Sequence, residues 1–139
     1  MGFLNRRSQS NRAESDALLA SVEQGRRARE AAEQAGFVRG RHYVEWGPVL
    51  DDLRSQGRDD EALPLLLEII DAAERAAKIK GVEPPPGWTK RAAIVIRRRK
   101  NYAAEVAVLQ RYLAACPPGR GSSEIADRLQ VALKLESSS

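Results

Sequence analysis

The chain has few of the residues that do chemistry. Its 139 residues include one cysteine, Cys116, and one histidine, His42. A single thiol closes no internal disulfide and makes no metal site, and the reducing cytosol is the simplest compartment for it. A general base needs an acid or nucleophile within hydrogen-bond reach. Nothing around Gly40-Arg41-His42-Tyr43 marks one, so His42 reads as a structural or surface residue. The glycines stand singly at the ends of helical stretches, which excludes a phosphate-cradling loop. Aromatics are 5% of the chain, few for stacking nucleic-acid bases. No window approaches 18 apolar residues, so no span of a membrane is expected. The start Met-Gly-Phe-Leu-Asn-Arg-Arg lacks the apolar stretch of a secretory leader, and Arg6 stands where a myristoylation signal wants Ser or Thr. Neither an enzyme nor a cofactor-binding or metal-binding protein is expected.

What is present is helix-forming. Alanine and leucine dominate the apolar set, which makes up 42% of the chain, and β-branched residues are scattered. Arginine outnumbers lysine 18 to 5 and alanine is abundant. Both have GC-rich codons, a bacterial pattern. The formal charge of +4 is uneven: residues 1–42 carry +3, residues 43–87 carry −5 and residues 88–139 carry +6. An acidic middle between basic ends suits self-association or an anionic partner near the C-terminal third.

The periodicity predicts six helices in one all-α domain over residues 12–136, between disordered ends at 1–11 and 137–139. The first helix, Arg12–Ala35, carries Leu18, Leu19 and Val22 and then a weak stripe of Ala28, Ala32 and Ala35. The second, Tyr43–Gln56, shows Trp46, Val49, Leu50 and Leu53 on one face, and Gly57 ends it. The third, Asp60–Lys80, has a wide apolar stripe, which implies burial against more than one neighbour. Asp59, Asp60 and Glu61 suit its positive end and match no metal-loop spacing. Pro84-Pro85-Pro86-Gly87 is a stiff link to a fourth helix, Trp88–Lys100. The fifth, Tyr102–Cys116, spaces Tyr102, Val106, Leu109, Leu113 and Cys116 by four and three. Ser122 or Ser123 is the N-cap of the sixth. Trp46, Trp88 and Cys116 are assigned to the core.

Two segments align with each other. Trp46 to Ile70 turns at Gly57-Arg58-Asp59, and Thr89 to Pro117 turns at Lys100-Asn101-Tyr102. In the first, Trp46 is the large residue of the leading helix, Leu53 a later core residue, Ala62 the small residue of the second helix, and Leu66 and Ile69 its packing residues. In the second, Ala92 and Ala93 pack closely, Ile96, Leu109 and Tyr112 are core, and Pro117 closes the unit. This pattern resembles the tetratricopeptide family. The chain is also similar to a divergent bacterial type of that fold over Gly40 to Leu113, through Glu61-Ala62-Leu63, Leu65-Leu66-Leu67, Ala93-Ile94-Val95-Ile96-Arg97, Tyr102, Glu105-Val106 and Arg111-Tyr112-Leu113. Leu50 and Glu105 depart from it, standing where the family prefers small residues. The copies lie 43 residues apart, not the family's 34.

The resemblance implies a right-handed array of helical hairpins, and with no catalytic set in the sequence the expected function is protein binding. Two hairpins are too few to stand alone, so either the first and sixth helices act as caps or a partner supplies the missing surface. In such arrays the leading helix of each hairpin lines a concave groove. Carried onto this chain, that places Lys90, Arg91, Arg97 and Arg98 on or near the groove, extended by Arg128 and Lys134. Guanidinium groups grip carboxylates and phosphates bidentately, so the expected ligand is an acidic peptide or tail. If Arg97-Arg98-Arg99-Lys100 is only a solvated helix end, its cations simply complement the helix dipole. The other two expectations are a subunit of a larger assembly, including a homo-oligomer, and a nucleic-acid accessory protein that uses the basic third and its pI near 9.6.

Overall fold

The computed structural model describes the backbone from Gly2 and side chains from Ser8 to Ser139. It is all-α, with six helices and one minimal hairpin: α1 Gly2–Ala35, β1 Phe37–Val38, β2 Arg41–His42, a 3-10 turn Tyr43–Trp46, α2 Gly47–Ser55, α3 Asp59–Lys80, α4 Pro86–Arg98, α5 Tyr102–Ala115 and α6 Ser123–Ser138. Among the described residues no helix is long and apolar enough to cross a membrane.

α3 is the centre. α1, α2 and α4 all pack against it, then α5 packs on α4 and α6 on α5. The wide stripe expected on α3 is present, with Ala62, Leu65, Leu66, Ile69, Ile70, Ala72, Ala73, Ala76 and Ala77 all buried. Each of its four large side chains contributes about 1.5–3 kcal/mol through burial. Gly81, at φ 69, ends the helix in a left-handed cap, and Val82 N–H donates to the Ala77 carbonyl at 3.1 Å. Pro86 opens α4 in its first turn, two residues before the expected start, where its missing N–H costs nothing. Asn101 caps α5 by accepting from Ala104 N–H at 3.2 Å, and Ser122 caps α6 by accepting from Ile125 N–H at 3.4 Å.

Four expectations need correction. First, the segment 1–11 is not irregular from Gly2 on: it continues α1 (Met1 lies outside the described residues). No proline or further glycine interrupts the chain before Gly25, so a helix nucleated downstream propagates through it. Second, the stripe that Leu18, Leu19 and Val22 begin is not buried there. They remain 65, 67 and 58% exposed, because only the last turns of α1 reach α3, where Ala32 is buried. Third, the second helix is broken. Pro48 has no N–H to continue a helix from Tyr43, so residues 43–46 form a 3-10 turn and α2 restarts at Gly47. Fourth, the C-terminal serines extend α6 to Ser138, with the Ser137 and Ser138 hydroxyls donating to the Lys134 carbonyl.

The link between α1 and α2 folds into a hairpin, Phe37 paired with His42 and Val38 with Arg41. Its two turn residues, Arg39 and Gly40, have φ of 49° and 85°, the paired positive values of a two-residue hairpin turn. Gly36 lies against the His42 ring; a Cβ there would sit 2.5 Å from His42 Nε2. Trp46 is half-buried and donates from its indole to the Val38 carbonyl at 3.0 Å. Trp88 is half-buried beneath Tyr43, edge to face at 6.2 Å. Cys116 is half-buried too, its thiol donating to the Tyr112 carbonyl at 3.3 Å.

Candidate functional site

The helices α2 and α4 stand side by side over α3 and leave a cleft between them. Leu50 from α2, Ala62 and Leu66 from α3, and Ile94 and Val95 from α4 form its apolar lining. The rim is charged: Asp51 and Arg54 from α2, Asp59 from the start of α3, Arg91 and Arg98 from α4. The cleft encloses about 80 Å3. A cavity of about 150 Å3 holds benzene, so this one has the size of a single aliphatic side chain.

The rim is cross-braced. Arg91 Nη2 lies 3.0 Å from Asp51 Oδ1, and its guanidinium carbon is 5.7 Å from the Trp88 ring centre. Arg98 Nη1 lies 3.6 Å from Asp59 Oδ2. Among the described residues, Arg54 is the rim cation that forms no such pair. Three arginines against two aspartates leave the rim at +1.

The five cations expected to share one surface do not do so. Arg91 and Arg98 line the cleft. Lys90 turns to α6, with Nζ 2.5 Å from Glu124 Oε1, and its ammonium holds that carboxyl below the usual carboxylate range. Arg97 turns inward to Glu105, its Nε donating to the two carboxylate oxygens at 2.9 and 2.8 Å. Arg128 approaches the same carboxylate from α6, at 3.8 Å. Glu105 is fully buried, so Arg97 and Arg128 brace α4 and α6 against α5. Its position, noted in the sequence as a charge where a small residue was expected, is thus a buried ionic joint.

No protein-family model, no curated protein and no solved structure matches this chain. The functional reading therefore rests on the geometry.

Two features were missed in the sequence. One is Arg54, whose place on the α2 rim follows only from the packing of α2 beside α4. The other is internal charge compensation. The basic third meets the acidic middle in Arg91–Asp51, Arg98–Asp59, Arg99–Asp60, Arg111–Asp71, Arg111–Glu74 and Arg120–Glu83. His42 caps the 3-10 turn, its Nδ1 accepting from Val44 N–H at 3.4 Å, and its ring packs on Tyr43 at 4.5 Å. The acids Asp59, Asp60 and Glu61 pair with Arg98, Arg99 and Arg58.

Proposed function

We propose that the chain is a non-enzymatic protein-interaction module, and that the cleft between α2 and α4 takes a short acidic segment carrying one apolar anchor. The observation that carries this reading is the juxtaposition of an apolar floor with a rim of Arg54, Arg91 and Arg98. The anchor fills the cavity over Leu66 and Ile94. A carboxylate beside it meets Arg54, which has no internal acid to displace. The Arg91–Asp51 and Arg98–Asp59 pairs are solvent-exposed and worth about 0–1 kcal/mol each, so a ligand carboxylate can share or replace them at little cost.

This reading keeps the tetratricopeptide-like resemblance, with α2 and α4 as the leading helices of two hairpins, but moves the groove. Arg54, Arg91 and Arg98 carry it, while Lys90, Arg97 and Arg128 serve the body. Aromatics are only 5% of the chain, few for stacking bases, which favours a protein ligand over nucleic acid.

The test is selection of displayed random peptides on the purified chain, followed by fluorescence anisotropy of the selected peptides and of a single-stranded oligonucleotide at low salt. Enrichment of acidic peptides with one aliphatic residue is expected, with Arg54→Glu weakening their binding about tenfold or more and leaving the melting curve unchanged. Tight, salt-sensitive oligonucleotide binding with no such enrichment would overturn the reading.

A further inference from the structure

α1 is the longest helix, yet every residue from Ser8 to Val22 is exposed. The apolar side chains of Leu18, Leu19 and Val22 lie on this overhang. A helix of about 15 residues standing alone in water is marginal. The ion pairs within α1, from Glu23 to Arg26 and Arg27 and from Arg26 to Glu30, lie beyond the overhang, nearer the body. Continuity with the anchored turns keeps the overhang helical, but it leaves Leu18, Leu19 and Val22 in water, and the sequence of the overhang describes a surface that covers them.

Apolar pairs stand near both ends of the segment, Phe3-Leu4 and Leu18-Leu19, with Asn11 midway between them. The basic pair Arg6-Arg7 lies on one side of Asn11, and the acids Glu14 and Asp16 lie on the other. Two copies laid antiparallel about Asn11 bring position 3 opposite 19, 4 opposite 18 and 7 next to 14. The apolar ends then cover each other, and Arg7 of one copy lies beside Glu14 of the other. A parallel pair would set Arg6-Arg7 against themselves and the acids against themselves, which is repulsive. Positions 4, 11 and 18 are two heptads apart end to end, so they stay near one side of the helix, and a polar Asn at such a seam sets register. The bodies begin near Glu23. In this register the two Glu23 positions are about 36 Å apart along the axis at 1.5 Å per residue, so the arms pair fully before the bodies meet.

We infer that α1 is a homodimerisation arm, two copies pairing antiparallel through residues 3–19 with Asn11 on the two-fold axis. The interface is isologous and closes at two copies.

The experiment uses the full chain. Light scattering after gel filtration is expected to give about twice the 15.3 kDa of one chain at high protein concentration. Leu18→Asp with Leu19→Asp is expected to weaken dimerisation by roughly two orders of magnitude, with far-UV circular dichroism confirming that the exposed substitutions leave the body folded. Register is read by crosslinking in a Cys116→Ser background: Asn11→Cys is expected to form an intermolecular disulfide under mild oxidation and Leu18→Cys is not. A monomer at all concentrations, or a dimer indifferent to the two aspartates, would overturn the inference. So would self-crosslinking of Leu18→Cys, the signature of a parallel pair. A monomer that instead binds anionic lipid vesicles would assign the arm to a membrane surface.

Discussion

Glu105 shows how much one side chain can hold. It is fully buried at the start of α5, with Arg97 of α4 bonded to both its oxygens and Arg128 of α6 nearby. Removing one partner of a buried ion pair leaves an uncompensated charge, which costs about 3–5 kcal/mol. Glu105→Ala is therefore expected to destabilise the chain by about that amount in urea unfolding, since it leaves two guanidinium groups facing each other. Replacing the whole set, as in Arg97→Met with Glu105→Leu and Arg128→Leu, is expected to restore most of the loss. If Glu105→Ala alone is neutral, the joint is not bearing load. The sequence signalled this residue as a charge at a position that should face the core. It could not show that both arginines were needed, because Arg97 and Arg128 are neighbours of Glu105 only after three helices pack.

Among the helices, the caps and stops were largely legible. Gly57, Gly81 and Ser122 end or start helices where their local chemistry places them. Ser122→Ala is expected to cost about 1 kcal/mol and to raise amide exchange in the first turn of α6, measured at Ile125. An unchanged exchange rate there would mean that packing of Ile125, not the cap, holds the turn. The element least legible was α1. Its apolar residues were read as the start of a stripe on periodicity, but periodicity reports a face and not the neighbour that covers it. The small hairpin after it was also unforeseen, since two-residue strands give no alternation to read.

Across the whole molecule, charge that looks segregated along the chain is compensated in space. The +6 of residues 88–139 and the −5 of residues 43–87 meet across the α3–α5 and α3–α4 seams. Arg111 is the clearest case. It bonds Glu74 at 2.8 Å and also pairs with Asp71, so its guanidinium is pushed up above its ordinary range, first by the Glu74 bond. Because these groups are partly exposed, Arg111→Leu is expected to cost only about 1 kcal/mol after solvent screening. The loss should shrink further at high salt, which thermal unfolding with and without added salt would check. A salt-independent loss would point to packing of the arginine stem instead.

The sequence by itself determined the helical class, the number of helices, most of their ends and the burial of α3 against more than one neighbour. These follow from local propensity, capping and the width of one apolar stripe, all carried by residues within a few turns of each other. The tertiary structure alone decided which cations face solvent, that Arg54 joins Arg91 and Arg98 around an apolar floor, and that half of α1 is left uncovered. Those outcomes depend on which acid lies within 4 Å of which arginine and on how far one helix reaches along another, and such distances between remote residues exist only once the chain is packed.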